Sequence, residues 1–421
     1  MRWGDAGGSG ALLDSSAHHA DLAAESARLL SFFDEPDGVA RFMWRRTDGS
    51  ADPSRPLTLY SVARLVHCFG IAHLLGHPRA GDWAEEGTRL LLDGFANPAA
   101  LGFAEAIRVD GETVADARTT YGHAFALLAG VTGQQAGIAG ADDVLHRATE
   151  AIDMWLWRAD VGAAVDAVDR TGHVLEPYRG QNANMHLTEA FLAAYEYDGE
   201  REWLDRARGI AKRLVLRVAG EHAGRIPEHY SSEWMADADY GRDSPLDPFR
   251  PFGTMPGHAV EWSRLLLNIA AHTDDDGQLL LCAKELFAGA LRDGKTNGIA
   301  GLAYTVDLDG RVIGDARMHW VAAEALSATT WLARATGDSS YTDHYADFWN
   351  DITTHFADQQ GGSWWHELDA RNAPAATTWD GKPDLYHAYQ ATYAARLARP
   401  CGIAAAARDG AFQPVLPPTR P

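Results

Sequence analysis

Residues 252–270 have the sequence FGTMPGHAVEWSRLLLNIA, which begins as a loop and continues as an apolar helix. His258 and Glu261 stand near the junction, three residues apart, a spacing that places both side chains on one face of a helix. A single occurrence could be accidental. The meaning of the arrangement therefore depends on how often it recurs along the chain.

Helical periodicity with turn punctuation runs along almost the whole sequence. It predicts twelve helices, at residues 17–33, 56–76, 81–95, 118–132, 141–158, 184–198, 200–218, 256–272, 276–293, 317–336, 338–356 and 384–398. These helices form six pairs, with a long segment inside each pair and a short segment between pairs. The second helix of every pair opens with a histidine: His67, His123, His186, His258, His319 and His387. Their separations of 56, 63, 72, 61 and 68 residues are typical of stacked helical hairpins.

The long segments inside the pairs carry alternating or aromatic residues around Asp-Gly or Thr-Gly turns, as in LAYTVDLDGRVIG at residues 302–314. Such segments predict small β-hairpins. Six units of helix, hairpin and helix can close on themselves, so we predict an all-α (α/α)6 barrel with hairpins around its mouth; an open α-solenoid is the alternative. In the closed form the second helices make the inner ring, and their N-terminal ends converge on one cavity.

We expect one barrel domain at residues 17–398, between a poorly ordered N-terminal extension at 1–16 and a poorly ordered C-terminal tail at 399–421. Although the chain has 421 residues, no interdomain linker is visible. Its composition, 46% apolar and 23% charged, is that of a globular protein with a large core.

The charge balance excludes some classes of partner. With 37 basic and 58 acidic residues the formal net charge is −21, and no Lys/Arg-rich run is present, so we expect no nucleic-acid partner. No run of 18 apolar residues and no signal-peptide pattern occurs, so we expect no membrane association and a cytoplasmic protein. Three widely spaced cysteines indicate neither a disulfide framework nor a zinc site.

The recurring histidine indicates acid–base chemistry. A helix N-terminus carries partial positive charge, which keeps an imidazole there neutral near pH 7 and favours nearby oxyanions. For any one histidine, packing or capping is the simpler interpretation, but six at equivalent places favour a shared site. Glu261, Glu189 and Gln390 lie three residues after His258, His186 and His387, and we expect each to partner its histidine.

Other chemistries find less support in the sequence. No HExxH, His-x-His or cysteine set indicates a metal, and no GxSxG or phosphate-binding loop is present. An inverting glycoside hydrolase, which needs two carboxyl groups, is the second hypothesis; Glu105, Glu228, Glu261 and Glu367 are its candidates. Five tryptophans suit either sugar stacking or core packing: Trp44, Trp234, Trp364, Trp365 and Trp379.

Four stretches together resemble the N-acylglucosamine 2-epimerase superfamily. They are YRGQNANMHLTEAFLAAYE (178–196), PGHAVEWSRLLL (256–267), RMHWVAAEALSA (317–328) and GKPDLYHAYQA (381–391). The similarity extends from the first helix to about residue 398 and is greatest to the aldose–ketose isomerase branch, which includes mannose and sulfoquinovose isomerases. The resemblance implies an (α/α)6 barrel that acts on an open-chain hexose without metal or other cofactor.

The resemblance also implies site residues. Two histidines at inner-helix starts exchange protons in such enzymes, and the matching positions are His258 and His387; the family arginine on the first inner helix matches Arg64. The matching sugar-contacting positions are Tyr121, Asn182, His186 and Glu261, with Arg250 as the candidate for a further arginine before PGH, and Trp320 and Glu324 within a family motif.

The implied reaction moves a carbonyl between C1 and C2 of a sugar through a cis-enediolate. We expect interconversion of D-mannose and D-fructose by a monomer or homodimer. The alternatives are a sugar 2-epimerase of the N-acylglucosamine or cellobiose type, a sulfoquinovose isomerase, and a helical toroid that binds sugar without catalysis.

Overall fold

Twelve helices alternate between an outer and an inner ring in the computed structural model, which describes residues 12–34, 38–274 and 277–412. The outer helices are α1 (Ser16–Ser31), α3 (Ala80–Leu90), α5 (Ala141–Ala151), α7 (Arg201–Ala211), α9 (Gln278–Gly294) and α11 (Ser339–Asp351). The inner helices are α2 (Leu59–Leu74), α4 (Thr120–Ala136), α6 (Gln181–Asp198), α8 (Pro256–Ala271), α10 (His319–Thr336) and α12 (Tyr386–Ala394). All twelve predicted helices are confirmed.

The inner ring is closed. Each inner helix contacts the next, and α12 contacts α2, which completes the circle; α3, α5, α7, α9 and α11 pack on the inner helix that precedes them, and α1 packs on α12. The predicted (α/α)6 barrel is therefore confirmed, and the open solenoid is wrong. Inner helices are buried around most of their circumference, whereas outer helices bury one face.

Small residues let the two rings approach closely. A side chain at Gly130 of α4 would place its Cβ 2.7 Å from the backbone of Leu145 in α5. Four outer helices continue into a π-helical turn, which explains why the sequence pattern extends past their α-helical ends. These turns are Leu91–Phe95, Ile152–Leu156, Lys212–Leu216 and Ile352–Phe356.

Short strands precede four of the inner helices and rim one end of the barrel. In the described residues the strands are β1 (Trp44–Arg45), β2 (Ala51–Asp52), β3 (Leu57–Thr58), β4 (Ala106–Ile107), β5 (Thr113–Ala115), β6 (Arg118–Thr119), β7 (Trp157–Arg158), β8 (Ala163–Ala164), β9 (Ala167–Val168), β10 (Arg179–Gly180), β11 (His229–Tyr230), β12 (Ala303–Val306), β13 (Val312–Met318) and β14 (Glu367–Leu368). Of these, β3, β6, β10 and β13 lead directly into α2, α4, α6 and α10. β13 forms the predicted hairpin with β12 (Ala303–Val306), and β10 pairs with β11 (His229–Tyr230). Because these strands end where inner helices begin, they hold the helix N-termini in register around one mouth.

The C-terminal prediction needs correction. Residues 399–421 were expected to form a poorly ordered tail, yet Ile403–Arg408 forms a thirteenth helix, α13, that contacts α2, α4 and α6. Ala404, Ala405 and Ala406 of this helix are buried because they lie against inner helices. Residues 413–421, and residues 1–11 of the predicted N-terminal extension, lie outside the described residues. No helix in the described part of the chain has the length and apolarity needed to cross a bilayer.

Candidate functional site

The inner helices begin around a cavity at the hairpin-rimmed end of the barrel, with about 820 Å³ of empty space when its opening to solvent is included. Four of the six recurring histidines line it: His186, His258, His319 and His387. The two proposed catalytic histidines, which are 129 positions apart in the sequence (387 − 258), thus share one cavity. Helix N-termini and loop residues meet there because the ring is closed.

The other two histidines do not reach this cavity. His67 lies in the third turn of α2, not at its start, and its Nδ1 is 2.6 Å from Thr132 Oγ1. His123 does lie in the first turn of α4, where its Nε2 accepts a hydrogen bond from the backbone N–H of Phe103. Burial lowers the pKa of each imidazole to about 4, so both stay neutral and stabilise the packing of the rings.

His258 is paired with a carboxylate from a neighbouring loop. Its Nδ1 lies 2.8 Å from Glu228 Oε2 and 2.6 Å from Gln181 Nε2. Gln181 Nε2 donates to the same oxygen of Glu228, and Gln181 Oε1 accepts from the indole N–H of Trp262. Burial opposes ionisation of Glu228, but His258, Gln181 and His229 together outweigh it and lower the pKa of the carboxyl group. The carboxylate therefore favours the tautomer that carries its proton on Nδ1 and leaves Nε2 free.

His387 has an equivalent pairing on the other side of the cavity. Its Nδ1 lies 3.0 Å from Glu324 Oε1, and Arg264 Nε donates to the other oxygen of Glu324 at 2.7 Å. Burial acts to raise the pKa of Glu324, but Arg264 and His387 act to lower it and together have the larger effect. The pKa of Glu324 therefore lies below its usual value. Both candidate catalytic imidazoles are thus oriented by ionised carboxylates.

For His258 and His387, the prediction that each pairs with the residue three positions later in its own helix is wrong. Glu261 does not bond His258, and Gln390 lies beside His67, with its Oε1 3.5 Å from that ring. Carboxylates from other elements are nearer because the imidazoles point across the barrel. For His186 the expectation is met only loosely: its Nδ1 is 3.7 Å from both Glu189 and Glu261, beyond hydrogen-bond distance.

Trp320 lies between the two carboxylate-paired imidazoles. Its ring centroid is 5.3 Å from that of His258 and 5.8 Å from that of His387. His186 stands on the far side of His387, with their centroids 6.3 Å apart. Burial lowers the pKa of His186 to about 3, which keeps it a neutral hydrogen-bonding group. A small molecule resting on the indole can contact both candidate catalytic residues.

Arg64 supplies positive charge to the same cavity. Its guanidinium donates to Tyr121 Oη at 2.9 Å and lies 3.5 Å from Asp384 Oδ1. It stacks 4.2 Å from the ring centroid of Phe125, and its Nε has no hydrogen-bond partner among the residues that the structure describes. A buried guanidinium with an unpaired N–H is suited to bind an oxyanion.

The remaining sugar-contact candidates divide between two connected spaces. Asn182 lines both the inner cavity and an outer one of about 1550 Å³. Arg250 lines only the outer cavity, where it pairs with Glu176 at 2.5 Å and stacks over Tyr178. Glu176 thus holds Arg250 at the outer cavity, and its contact with a sugar stays a prediction.

The carboxylates proposed for glycoside hydrolysis do not form a pair in the inner cavity. Of the four, only Glu261 lines it. Glu105 faces the outer cavity, Glu228 is bonded to His258, and Glu367 is capped by the backbone N–H groups of residues 377–379. This separation removes the structural basis for an inverting pair.

The tryptophans also separate by location. Trp44 and Trp379 stack with a centroid distance of 6.1 Å at the outer cavity, and Trp379 reaches the inner one. Trp364 is fully buried in the core. Trp365 packs against Lys382, and Trp234 packs against Arg213. Only the first two lie where a sugar ring could stack.

Several polar residues of this site were missed from the sequence, among them Arg264, which bonds Glu324 and Glu189. Three more are Gln181, which joins His258 to Glu228, and Asp384 and His366, which line the inner cavity. Asp384 lies 3.1 Å from His319 Nε2, and the His319 and His366 rings stack at 3.9 Å. In the sequence, the one sign that Asp384 belongs to the site is its position three residues before His387.

Two groups of side chains are close enough to share a metal ion. Ligand atoms of His186, Glu189 and Glu261 lie within 4.8 Å of one another, as do those of Glu261, Glu324 and His387. Arg264, however, already donates to Glu189 and Glu324 and supplies positive charge at this place. That no metal takes part stays a prediction.

Glu105 provides a pH-dependent prediction about stability. Burial raises the pKa of Glu105 from 4.5 to about 7, against a hydrogen bond from Thr119 that lowers it. The folded state therefore holds this proton more tightly than the unfolded chain, so the free energy of unfolding falls as pH rises through that window. We expect Glu105→Gln to raise Tm relative to the wild type more at about pH 8 than at about pH 5.

Thermal unfolding followed by circular dichroism at the two pH values measures this difference. Glu112→Gln, at a carboxylate whose side chain is 66% exposed, serves as the control and is expected to show no such change with pH. A Tm difference for Glu105→Gln that is equal at both pH values would contradict the assignment of a raised pKa.

Two buried imidazole–carboxylate pairs and an arginine lie at the mouth of a closed (α/α)6 barrel. This arrangement defines a class of barrel protein that can transfer protons to and from a small polar molecule. The chain belongs to the N-acylglucosamine 2-epimerase family, whose model matches residues 41–391. It is 41% identical over 382 residues to the D-mannose isomerase of Thermobifida fusca, covering 90% of this chain and 94% of that relative.

A second relative and a solved structure agree with this assignment. The D-mannose isomerase of Pseudomonas cannabina pv. alisalensis is 39% identical over 397 residues, which cover 90% of this chain and 93% of the relative. A crystal structure of D-mannose isomerase superposes with a TM-score of 0.83 at 28% identity, covering 89% of this chain and 97% of that one. The predicted family resemblance is confirmed.

Proposed function

We propose that this protein is an aldose–ketose isomerase that interconverts D-mannose and D-fructose. The single observation that carries the proposal is the shared inner cavity, where two carboxylate-paired imidazoles flank Trp320 beside the Arg64 guanidinium. Relatives that match over about nine-tenths of the chain and are D-mannose isomerases support the choice of sugar.

In the proposed mechanism the sugar reacts in its open-chain form. His387 removes the proton from C2 and returns it to C1, while His258 moves protons at the oxygens and assists ring opening. Each imidazole acts through its Nε2, because Nδ1 is held by Glu324 or by Glu228. The intermediate enediolate carries negative charge, which Arg64 stabilises.

The cavity favours an uncharged sugar over a sulfonated one. Among the described residues, Arg64 is the only lysine or arginine that lines the inner cavity, and it already faces Asp384 at 3.5 Å. Arg250 is held outside by Glu176. A sulfonate would need additional positive charge next to the sugar, so we propose mannose rather than sulfoquinovose as the substrate.

Incubation of the protein with D-mannose in heavy water, followed by NMR, tests the proposal. Formation of fructose supports isomerisation, and deuterium at its C1 shows that the proton on the base exchanges with solvent before it is returned. Conversion of mannose to glucose as the main product would instead indicate a 2-epimerase, because both reactions share the enediolate and differ in where the proton is returned. The absence of both product formation and deuterium exchange with any hexose would contradict both reactions and favour a sugar-binding protein.

Arg64 provides a prediction on electrostatic stabilisation. Arg64→Gln is expected to lower kcat by about 10²- to 10³-fold, because the enediolate loses a preorganised positive charge. Arg64→Lys is the matched variant, since it keeps the charge and loses the fixed geometry. Its kcat should lie between those of the wild type and Arg64→Gln. Steady-state kinetics with D-mannose measures the effect. A kcat for Arg64→Gln within a few-fold of the wild type would remove Arg64 from the mechanism.

A further inference from the structure

Three carboxyl groups meet beneath the inner cavity around one guanidinium. Glu189 comes from α6, Glu261 from α8 and Glu324 from α10, and all three are more than 90% buried. An oxygen of Glu261 lies within 4.8 Å of an oxygen of each of the other two. Arg264 donates to Glu324 at 2.7 Å and to Glu189 at 3.2 Å, but stands 3.7 Å from Glu261.

The hydrogen bonds are distributed unequally among these three groups. Glu324 also bonds His387, and Glu189 also accepts a hydrogen bond from the Tyr386 hydroxyl. Within the described part of the chain, neither oxygen of Glu261 has a hydrogen-bond partner, although the residue is 99% buried (1% exposed) and faces the cavity. One guanidinium cannot neutralise three buried carboxylates, so the least stabilised of them holds a proton.

The other groups around Glu261 do not remove this imbalance. From α6 it meets the neutral His186 as well as Glu189, from α12 it meets His387, and Arg64 of α2 stands farther away beside Asp384. Burial and then the charge of Glu324 raise the pKa of Glu261 well above its usual range, and Arg264 opposes them only in part.

We propose that Glu261 is a neutral carboxylic acid that donates a hydrogen bond to a sugar oxygen at the carbons between which the carbonyl moves. This inference rests on the proposed isomerase function and deepens it, since it gives Glu261 a protonation state and a role. An ionised carboxylate at this place would repel the enediolate, whereas a neutral donor stabilises its oxygens. The proton stays on Glu261 throughout, so no further acid or base is required.

Paired substitutions separate this role from that of a carboxylate. Glu261→Gln keeps the shape and an N–H donor, and we expect its kcat to stay within about threefold of the wild type. Glu261→Ala removes the donor and should lower kcat by about 100-fold or more. Equal loss in both variants, at unchanged Tm, would overturn the proposal because the carboxylate itself would then be required. Full activity of Glu261→Ala would overturn it as well.

Infrared difference spectroscopy measures the proton directly. The wild-type spectrum minus that of Glu261→Gln at neutral pH should contain the C=O stretch of a protonated carboxylic acid. Glu105 and Asp166, whose pKa values burial raises to about 7, contribute equally to both proteins and cancel. The measurement needs no turnover, so absence of the band overturns this inference alone. Absence of isomerase activity in the wild type overturns the proposed function instead.

Discussion

Replacing His387 with asparagine is expected to lower kcat for D-mannose isomerisation by about 10³-fold or more, because the variant lacks the base that removes the C2 proton. The imidazole is buried, lines the inner cavity, and has its Nδ1 held by Glu324 at 3.0 Å. Its remaining nitrogen is thus the one available to the sugar. Asparagine retains a hydrogen bond to Glu324, so the carboxylate is not left unpaired.

Deuterium exchange in heavy water is the decisive measurement for this variant. His387→Asn should lose both fructose formation and exchange at carbon, since each needs the same proton transfer. His173→Asn is the matched control and should behave as the wild type, because this histidine has a side chain that is 83% exposed and lines neither the inner nor the outer cavity. Exchange at a normal rate in His387→Asn would show that another group acts at carbon.

Replacing His258 with asparagine is also expected to have a large effect, a loss in kcat of about 10²- to 10⁴-fold. Here the reason is different, because His258 is assigned to the oxygens and to ring opening. Its Nδ1 contacts both Glu228 and Gln181, so Nε2 is again the free nitrogen. The base at carbon remains intact in this variant.

The two variants should therefore differ in the ratio of exchange to product. His258→Asn is expected to retain more deuterium exchange per fructose formed than His387→Asn does. The same ratio in both would contradict the division of roles between them, and near-normal turnover would remove His258 from the mechanism. Far-ultraviolet circular dichroism that matches the wild type is needed in each case, to separate lost chemistry from lost folding.

The helical pairs could be predicted because their causes are local. Apolar periodicity, turn residues and the recurring histidine act over a few residues each, and six equal units close into a ring. The elements α2 to α12 accordingly appear where the pattern placed them. His258 and His387 were found in the same way, since each opens an inner helix and the resemblance marks both positions.

The partners of those histidines could not be predicted, because they come from distant parts of the chain. Glu228 reaches His258 from the loop before β11, and Glu324 reaches His387 from α10. Spacing along one helix pointed instead to Glu261 and Gln390. Likewise, only packing shows that Arg250 is held at the entrance by Glu176 and that α13 closes against the inner helices.

The sequence by itself determined the six helical pairs, their common mouth and the imidazoles that open onto it, since short-range periodicity and chain order are sufficient for these. Ring closure decided which carboxylate faces which imidazole and which of three neighbouring carboxyl groups Arg264 leaves without a hydrogen bond. The physical reason is that burial and Coulomb interactions depend on distances of a few ångströms between residues from different helices.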